Sequence, residues 1–189
     1  VDLIRRCQTG DEEAFATLFH QYKNLVYKTA YLMLGSAEEA EDVLQEVFLQ
    51  VHRFLSTFEP SKGSFTTWLY RITVNRCVSW RRKRRLPFIS LDKVPPMSPD
   101  RPSFFQNRLE DEEVIQQALR RLSDKLRAVV ILRYYLELSY ADIAQILNIP
   151  VGTVKSRLDL ALKTLHKELG TLTEDAPVLR AVSQREVAK

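Results

Sequence analysis

Apolar residues recur at helical spacing along most of the chain. Val43, Val47, Val51 and Leu55 repeat every four positions, with Leu44 and Phe48 beside them. That row predicts one buried stripe on a helix running to about Ser56. Phe15, Leu18, Phe19, Tyr22, Leu25, Val26, Tyr27, Ala30, Leu32 and Leu34 mark an earlier helical stretch, with a bend expected near Gln21. Thr9-Gly10-Asp11-Glu12 and Ser36-Ala37-Glu38-Glu39 read as capping boxes for the two helices, and Gly35 between them as a stop. Phe58-Glu59-Pro60-Ser61-Lys62-Gly63 breaks the pattern and reads as a loop. Ser64 then caps a third helix, from about Phe65 to Arg85.

Pro87, Pro95, Pro96, Pro99 and Pro102 exclude a regular helix or central strand after Leu86. Residues 86–106 are expected to be a stiff linker between two domains, 1–85 and 107–170. Beyond it the pattern predicts an acidic helix from Asn107 to Leu122 and a second from Asp124 to about Leu136, capped by Ser123. A short helix, Tyr140 to Leu147, follows Ser139. Asn148-Ile149-Pro150 reads as a turn, and a last helix runs from Val151 to Leu169, stopping at Gly170. Residues 171–189 form a tail of mixed character. No repeat and no alternating strand pattern is present, so the expected fold class is all-α with two helical domains.

Composition sharpens this reading. Only 5 of 189 residues are glycine, which disfavours a turn-rich β fold, and 45% hydrophobic residues are enough for real cores. Cys7 and Cys77 have no metal-ligand spacing with each other or with a histidine, so both read as small buried hydrophobes in a reducing compartment. No apolar run approaches the roughly 20 residues of a membrane span. The polar start carries no signal-peptide core. It begins at Val1 rather than Met, so a trimmed terminus is expected. The expected location is the cytoplasm. His20, His52 and His166 are scattered, without a nucleophile, a carboxylate partner or a phosphate-binding glycine loop, so neither an enzyme nor a cofactor or metal site is expected.

Ser139 to Leu162 has the form of a helix-turn-helix. Ala144 suits a close helix crossing, and Asn148 suits positive φ at the turn. Ile143, Leu147, Ile149, Val154 and Leu158 fill the space between the helices. The start of the second helix presents Thr153, Lys155, Ser156 and Arg157, the groups a recognition helix uses on base edges and phosphates. A plain helical hairpin with a polar outer face is the simpler alternative.

The formal net charge is a mild +4, but its distribution is uneven. Arg53 to Arg85 holds nine basic residues against a single acid, Glu59. Trp68, Tyr70, Arg71, Asn75, Arg76 and Trp80 are interleaved on the helix that ends Arg81-Arg82-Lys83-Arg84-Arg85. Such charge attracts phosphates, and aromatic faces stack on unpaired bases, so melted DNA suits the segment better than duplex. The loop Phe58 to Phe65 could hold a base pulled from the stack. The alternative places Trp68 and Ile72 in the core and leaves the arginines solvated. Glu38, Glu39, Glu41, Asp42 and Glu46 crowd the start of the preceding helix. The macrodipole accounts for the first two. Asp42, Gln45, Glu46 and Leu49 share one surface and read either as a docking face for a basic partner or as a solvated face.

Three strings, Ala40-Glu41-Asp42-Val43-Leu44-Gln45-Glu46-Val47-Phe48-Leu49, Phe65-Thr66-Thr67-Trp68-Leu69-Tyr70-Arg71-Ile72 and Ile149-Pro150-Val151-Gly152-Thr153-Val154-Lys155-Ser156-Arg157-Leu158, resemble the extracytoplasmic-function (ECF) sigma factors in order and spacing. The resemblance spans about Asp11 to Leu169. It implies a bacterial, non-enzymatic initiation factor with core RNA polymerase, its β′ clamp helices and β subunit, promoter DNA and an anti-sigma factor as partners. It implies that Asp42, Gln45, Glu46, Phe48 and Leu49 meet the β′ clamp helices. It assigns Phe58, Lys62, Ser64, Phe65, Trp68, Arg71, Asn75, Arg76, Trp80, Arg82 and Lys83 to the melted −10 element. It assigns Ser139, Tyr140, Gly152, Thr153, Lys155, Ser156, Arg157 and Lys163 to the −35 duplex. The linker would thread toward the polymerase active-site cleft. Ser79, Asp159 and Leu160 depart from the family pattern, and the tail after Gly170 has no counterpart in it. The competing reading is a stand-alone helix-turn-helix regulator on duplex DNA. That reading leaves the acidic face and the aromatic basic helix unexplained.

Overall fold

The computed structural model describes residues 2–85 and 109–169. The linker and tail expectations, 86–106 and 171–189, lie outside the described residues. The first module contains α1 (Asp2–Gln8), α2 (Glu12–Leu34), α3 (Ala37–Phe54) and α4 (Phe65–Arg85). Two single 3-10 turns, Leu55–Thr57 and Pro60–Lys62, link α3 to α4. The second contains α5 (Leu109–Arg121), α6 (Asp124–Val130), α7 (Tyr140–Leu147) and α8 (Val151–Leu169). No strand occurs among the described residues.

Local chemistry sets the boundaries. Ser36 accepts from the Glu39 amide at 3.3 Å, Ser64 from Thr67 at 3.1 Å and Ser139 from Asp142 at 3.1 Å, each at a helix start. Gly35 ends α2 at φ 77°. Asn148 ends α7 at φ 51°, and the Ile149 amide reaches back to the Ala144 carbonyl at 3.0 Å. Three sequence expectations are corrected. Asp11, not Thr9, caps α2, accepting from Ala14 at 2.9 Å. Helix α2 runs unbroken past Gln21. The segment after Ser123 is α-helical only to Val130. Ile131–Tyr135 then forms one π turn, closed by the Leu136 amide donating to the Ile131 carbonyl at 3.1 Å, and the Leu138 amide donates to the Leu132 carbonyl at 3.0 Å with Glu137 at φ 55°.

Helices α2, α3 and α4 pack as a three-helix core. Val43, Val47 and Val51 are fully buried, as the four-residue repeat requires. The Phe19 and Phe48 rings meet edge to face at 4.7 Å, and Phe15 approaches Phe48 at 6.5 Å. In the second module α8 lies across α5, α6 and α7. The buried residues of both modules join into one apolar cluster. Arg127, 1% exposed, spans the junction: it donates to Leu119 and Leu122 of its own module and to Met33 of α2. Cys77 is buried, and burial pushes its thiol up to about 12. Cys7 is only half-buried, because α1 buries no residue completely.

Candidate nucleic-acid and polymerase interfaces

The face of α3 opposite its valine row carries Asp42, Gln45 and Leu49, all exposed, with Leu49 70% exposed. Leu49 is therefore not part of the helix core. Two expected members differ. Phe48 is 5% exposed and locked against Phe15 and Phe19, so it supports the face from beneath and is removed from the contact set. Glu46 is half-buried and forms an ion pair with Arg76 of α4. The pair ties the acidic helix to the basic one, so neither side chain is a free charge.

Between α3 and α4 the two 3-10 turns fold over the start of α4. They enclose a cavity of about 230 Å³ lined by Thr57, Phe58, Glu59, Lys62, Gly63, Ser64, Thr67, Trp68, Arg71 and Gln145. Its floor is aromatic. Phe58 and Trp68 line it, tilted against each other at 5.5 Å, and Phe65 packs behind them at 5.6 and 5.7 Å. Its rim is polar, with Lys62 bridged to Glu59 at 2.8 Å and Arg71 exposed. From the rim, exposed Arg71, Asn75, Val78 and Arg82 follow one another along α4 at helical spacing. Lys83 is exposed next to Arg82.

The remaining residues assigned to this surface sort by burial. Phe65, 6% exposed, lies beneath the cavity and does not line it, and Phe58, 7% exposed, reaches the cavity as part of its wall. Tyr70, 6% exposed, faces the core, and burial pushes its phenol up to about 12. It offers no stacking face. Trp80 is half-buried, and its indole Nε1 is enclosed without an acceptor among the described residues. Arg76 is engaged by Glu46. Burial of this kind depends on which neighbouring helix covers each side, which the periodicity of α4 does not encode. Gln145, from α7, lines the cavity with no warning in the sequence.

In the second module α7 and α8 form the helix-turn-helix. Val154, Leu158 and Ile143 are buried between them. The outer side of α8 carries Gly152, Lys155, Ser156, Asp159, Leu160 and Lys163, all exposed, with Thr153 and Arg157 half-buried at its edges. A side chain added at Gly152 would meet nothing within 4 Å, so the backbone there is open to close approach. Lys163 bridges Asp159 at 2.8 Å, an exposed pair that offsets part of its charge. The Tyr140 ring lies under Arg133 at 4.9 Å and Lys155 at 5.8 Å, holding both cations near the start of α8. Ser139 is spent on the helix cap.

Among the described residues no cluster of His, Cys, Asp or Glu could hold a metal ion, and no helix is long and apolar enough to cross a membrane. His20, His52 and His166 are all exposed.

Residues 18–86 match the family described as Sigma-70 region 2, and residues 112–165 match Sigma-70, region 4. The fold is that of a sigma-70-type transcription initiation factor. The ECF RNA polymerase sigma factor SigW of Bacillus subtilis is 36% identical over 181 residues, 89% of this chain and 96% of its own. The RNA polymerase sigma-H factor of Pseudomonas aeruginosa is 34% identical over 188 residues, 92% and 95% of the two chains. The chain therefore belongs to the ECF RNA polymerase sigma factors. It is an alternative sigma factor, a non-enzymatic factor that directs transcription initiation. A stand-alone helix-turn-helix regulator would account for the region 4 match alone. Among solved structures, CnrH in complex with the cytosolic domain of CnrY shares the fold, with a TM-score of 0.69 over 90% of this chain and 97% of that one at 23% identity. The sigma factor RpoE of Bartonella quintana, co-crystallised with the anti-sigma factor NepR, does so with a TM-score of 0.62 over 84% and 98% at 24% identity.

Proposed function

We propose that the α3–α4 cavity receives a base from the opened non-template strand of the −10 element while the outer side of α8 reads the −35 element as duplex. The observation that carries this reading is the cavity itself. An aromatic floor at the start of the most basic helix, continued by Arg71, Asn75 and Arg82, suits one unstacked base with its phosphates running on. Asp42, Gln45 and Leu49 hold the β′ clamp helices of core polymerase, and the β subunit completes the holoenzyme. The factor acts in the cytoplasm, and an anti-sigma protein restrains it, as the NepR co-crystal of the RpoE relative illustrates.

Permanganate reactivity of unpaired thymines, read on holoenzyme at a cognate promoter, tests the cavity. Trp68→Ala removes a stacking platform. Open-complex stability is expected to fall by about 1–3 kcal/mol, the value of one stacked base. Because Trp68 also supports Phe58 and Phe65, Arg71→Ala is the companion, with loss of strand affinity and an unchanged fold. Normal thymine reactivity in both variants contradicts the assignment.

Replacing Lys155 and Arg157 by alanine is expected to cost about 1–3 kcal/mol in promoter binding for each base-reading contact. A phosphate contact would instead weaken all sequences alike and lower the salt dependence. Promoter selection from a randomised −35 library separates the two outcomes. Unaltered selection means another surface reads that element.

A further inference from the structure

Helix α1 buries no side chain completely, yet it delivers one amide to the loop that walls the cavity. Gln8, the last residue of α1, is half-buried. Its Nε2 donates to the Leu55 carbonyl and to the Phe58 carbonyl, both at 2.9 Å. These acceptors lie 47 and 50 residues along the chain. Leu55 opens the 3-10 turn that follows α3, and Phe58 caps it. The Phe58 amide already closes that turn on the Leu55 carbonyl at 3.0 Å. A primary amide carries two N–H groups, so one side chain fixes the spacing of both carbonyls. Phe58 leaves the turn extended, at φ −73° and ψ 124°. Thr57, Phe58 and Glu59 line the cavity, and the Phe58 ring rests on Trp68. Gln8 is thus bonded to the backbone of the cavity wall from outside the lining. Local chemistry brings it there. A seven-residue helix is too short to hold its shape alone. Leu3, Ile4 and Cys7 pack against the apolar cluster. Asp11 accepts from Arg6 Nε at 2.9 Å while it caps α2, and Gly10 turns between them at φ 88°.

We propose that Gln8 is a positioning residue for base selection, setting how Phe58 stands against Trp68 and so the shape of the slot that takes the unstacked base. The proposal rests on the cavity being the −10 strand site. Stacking on an aromatic face is tolerant of sequence, because every base has such a face. Discrimination comes from the shape of the pocket around the base. A wall that shifts admits several bases, and a wall held at both ends of its turn admits fewer. Gln8 does not touch the strand in this arrangement. It acts through the Phe58 backbone, so its loss relaxes the choice of base without removing Trp68 or Arg71. The docking face on α3 and the outer side of α8 share no residue with it.

The test is a transcription selection with holoenzyme on two promoter libraries, one randomised over the −10 element and one over the −35 element. Gln8→Glu keeps the size of the side chain and removes both N–H donors. It is expected to cut the base preference at one −10 position three- to tenfold, with −35 preferences and core polymerase affinity unchanged. Gln8→Ala is expected to do the same and carries the test if the glutamate variant fails to fold. Loss of the fold in both overturns the proposal, because Gln8 is then a structural residue only. Gln8→Lys supplies donors again and is expected to restore the preference. Its added charge strengthens all sequences alike and leaves the ratio between bases untouched. An unchanged −10 preference in the folded variants overturns the proposal. So does an equal loss at every position of both elements, and so does a lysine variant as unselective as the glutamate one. Trp68→Ala separates the two layers. Preference flattened by Trp68→Ala alone leaves the cavity as the strand site and removes Gln8. No change at any −10 position in either variant overturns the cavity assignment together with the proposal.

Discussion

Arg127→Ala is expected to lower the unfolding free energy by about 3–5 kcal/mol, measured by urea denaturation of the full chain. The guanidinium is 1% exposed and satisfies the carbonyls of Leu119, Leu122 and Met33 at 3.1 Å or less. Removing it strands buried acceptors, each costing about 1–3 kcal/mol, and leaves a void where a large side chain was packed. Arg127→Lys is expected to recover only part of the loss. An ammonium on a flexible stem cannot present the planar fork that reaches three separate carbonyls. A loss below about 1 kcal/mol for the alanine variant would mean that water reaches the junction and the two modules do not share a sealed core.

Asp42→Lys combined with Leu49→Asp is expected to weaken core polymerase binding about 100-fold, equivalent to about 2.7 kcal/mol. Both side chains are exposed on the same side of α3, so neither change disturbs the packing of Val43, Val47 and Val51. Leu49 is the residue to watch. An apolar side chain 70% exposed gains nothing in the free chain and is the natural centre of a buried contact, with Asp42 and Gln45 as its polar rim. Titration of fluorescent factor with core enzyme reads the effect. Phe48→Ala is the contrasting variant, with lower thermal stability and a polymerase affinity that returns to normal wherever the chain is folded. Unchanged affinity in the Asp42/Leu49 variant would remove this face from the docking account.

The pattern that revealed the fold was mostly local. Ser36, Ser64, Ser139, Gly35 and Asn148 act on amides and carbonyls a few residues away, so their roles follow from residue type and position alone. Helix α1 escaped because it buries no side chain completely and thus leaves no periodic apolar trace. The π turn after Val130 escaped because it arises from how the chain leaves α6, closed by backbone bonds five and six residues apart rather than by a signalling residue. The cavity loop was legible from Pro60, Gly63 and the aromatics around it. Which aromatics remain accessible was not. Phe48 and Tyr70 are buried, Phe48 against Phe15 and Phe19 of α2, whereas Leu49, one residue beyond Phe48, is exposed. Gln145 and Arg127 carried no signal, because their partners lie 83 and 94 residues distant.

One chain is expected to grip polymerase, an opened strand and an intact duplex together. Run-off transcription with purified core enzyme on a promoter library measures this most directly. The expected result is factor-dependent transcripts from a single defined start, abolished by Asp42→Lys/Leu49→Asp and reduced by Trp68→Ala. Protection of duplex DNA by the factor alone, with no factor-dependent transcript from any promoter in the library, would contradict it.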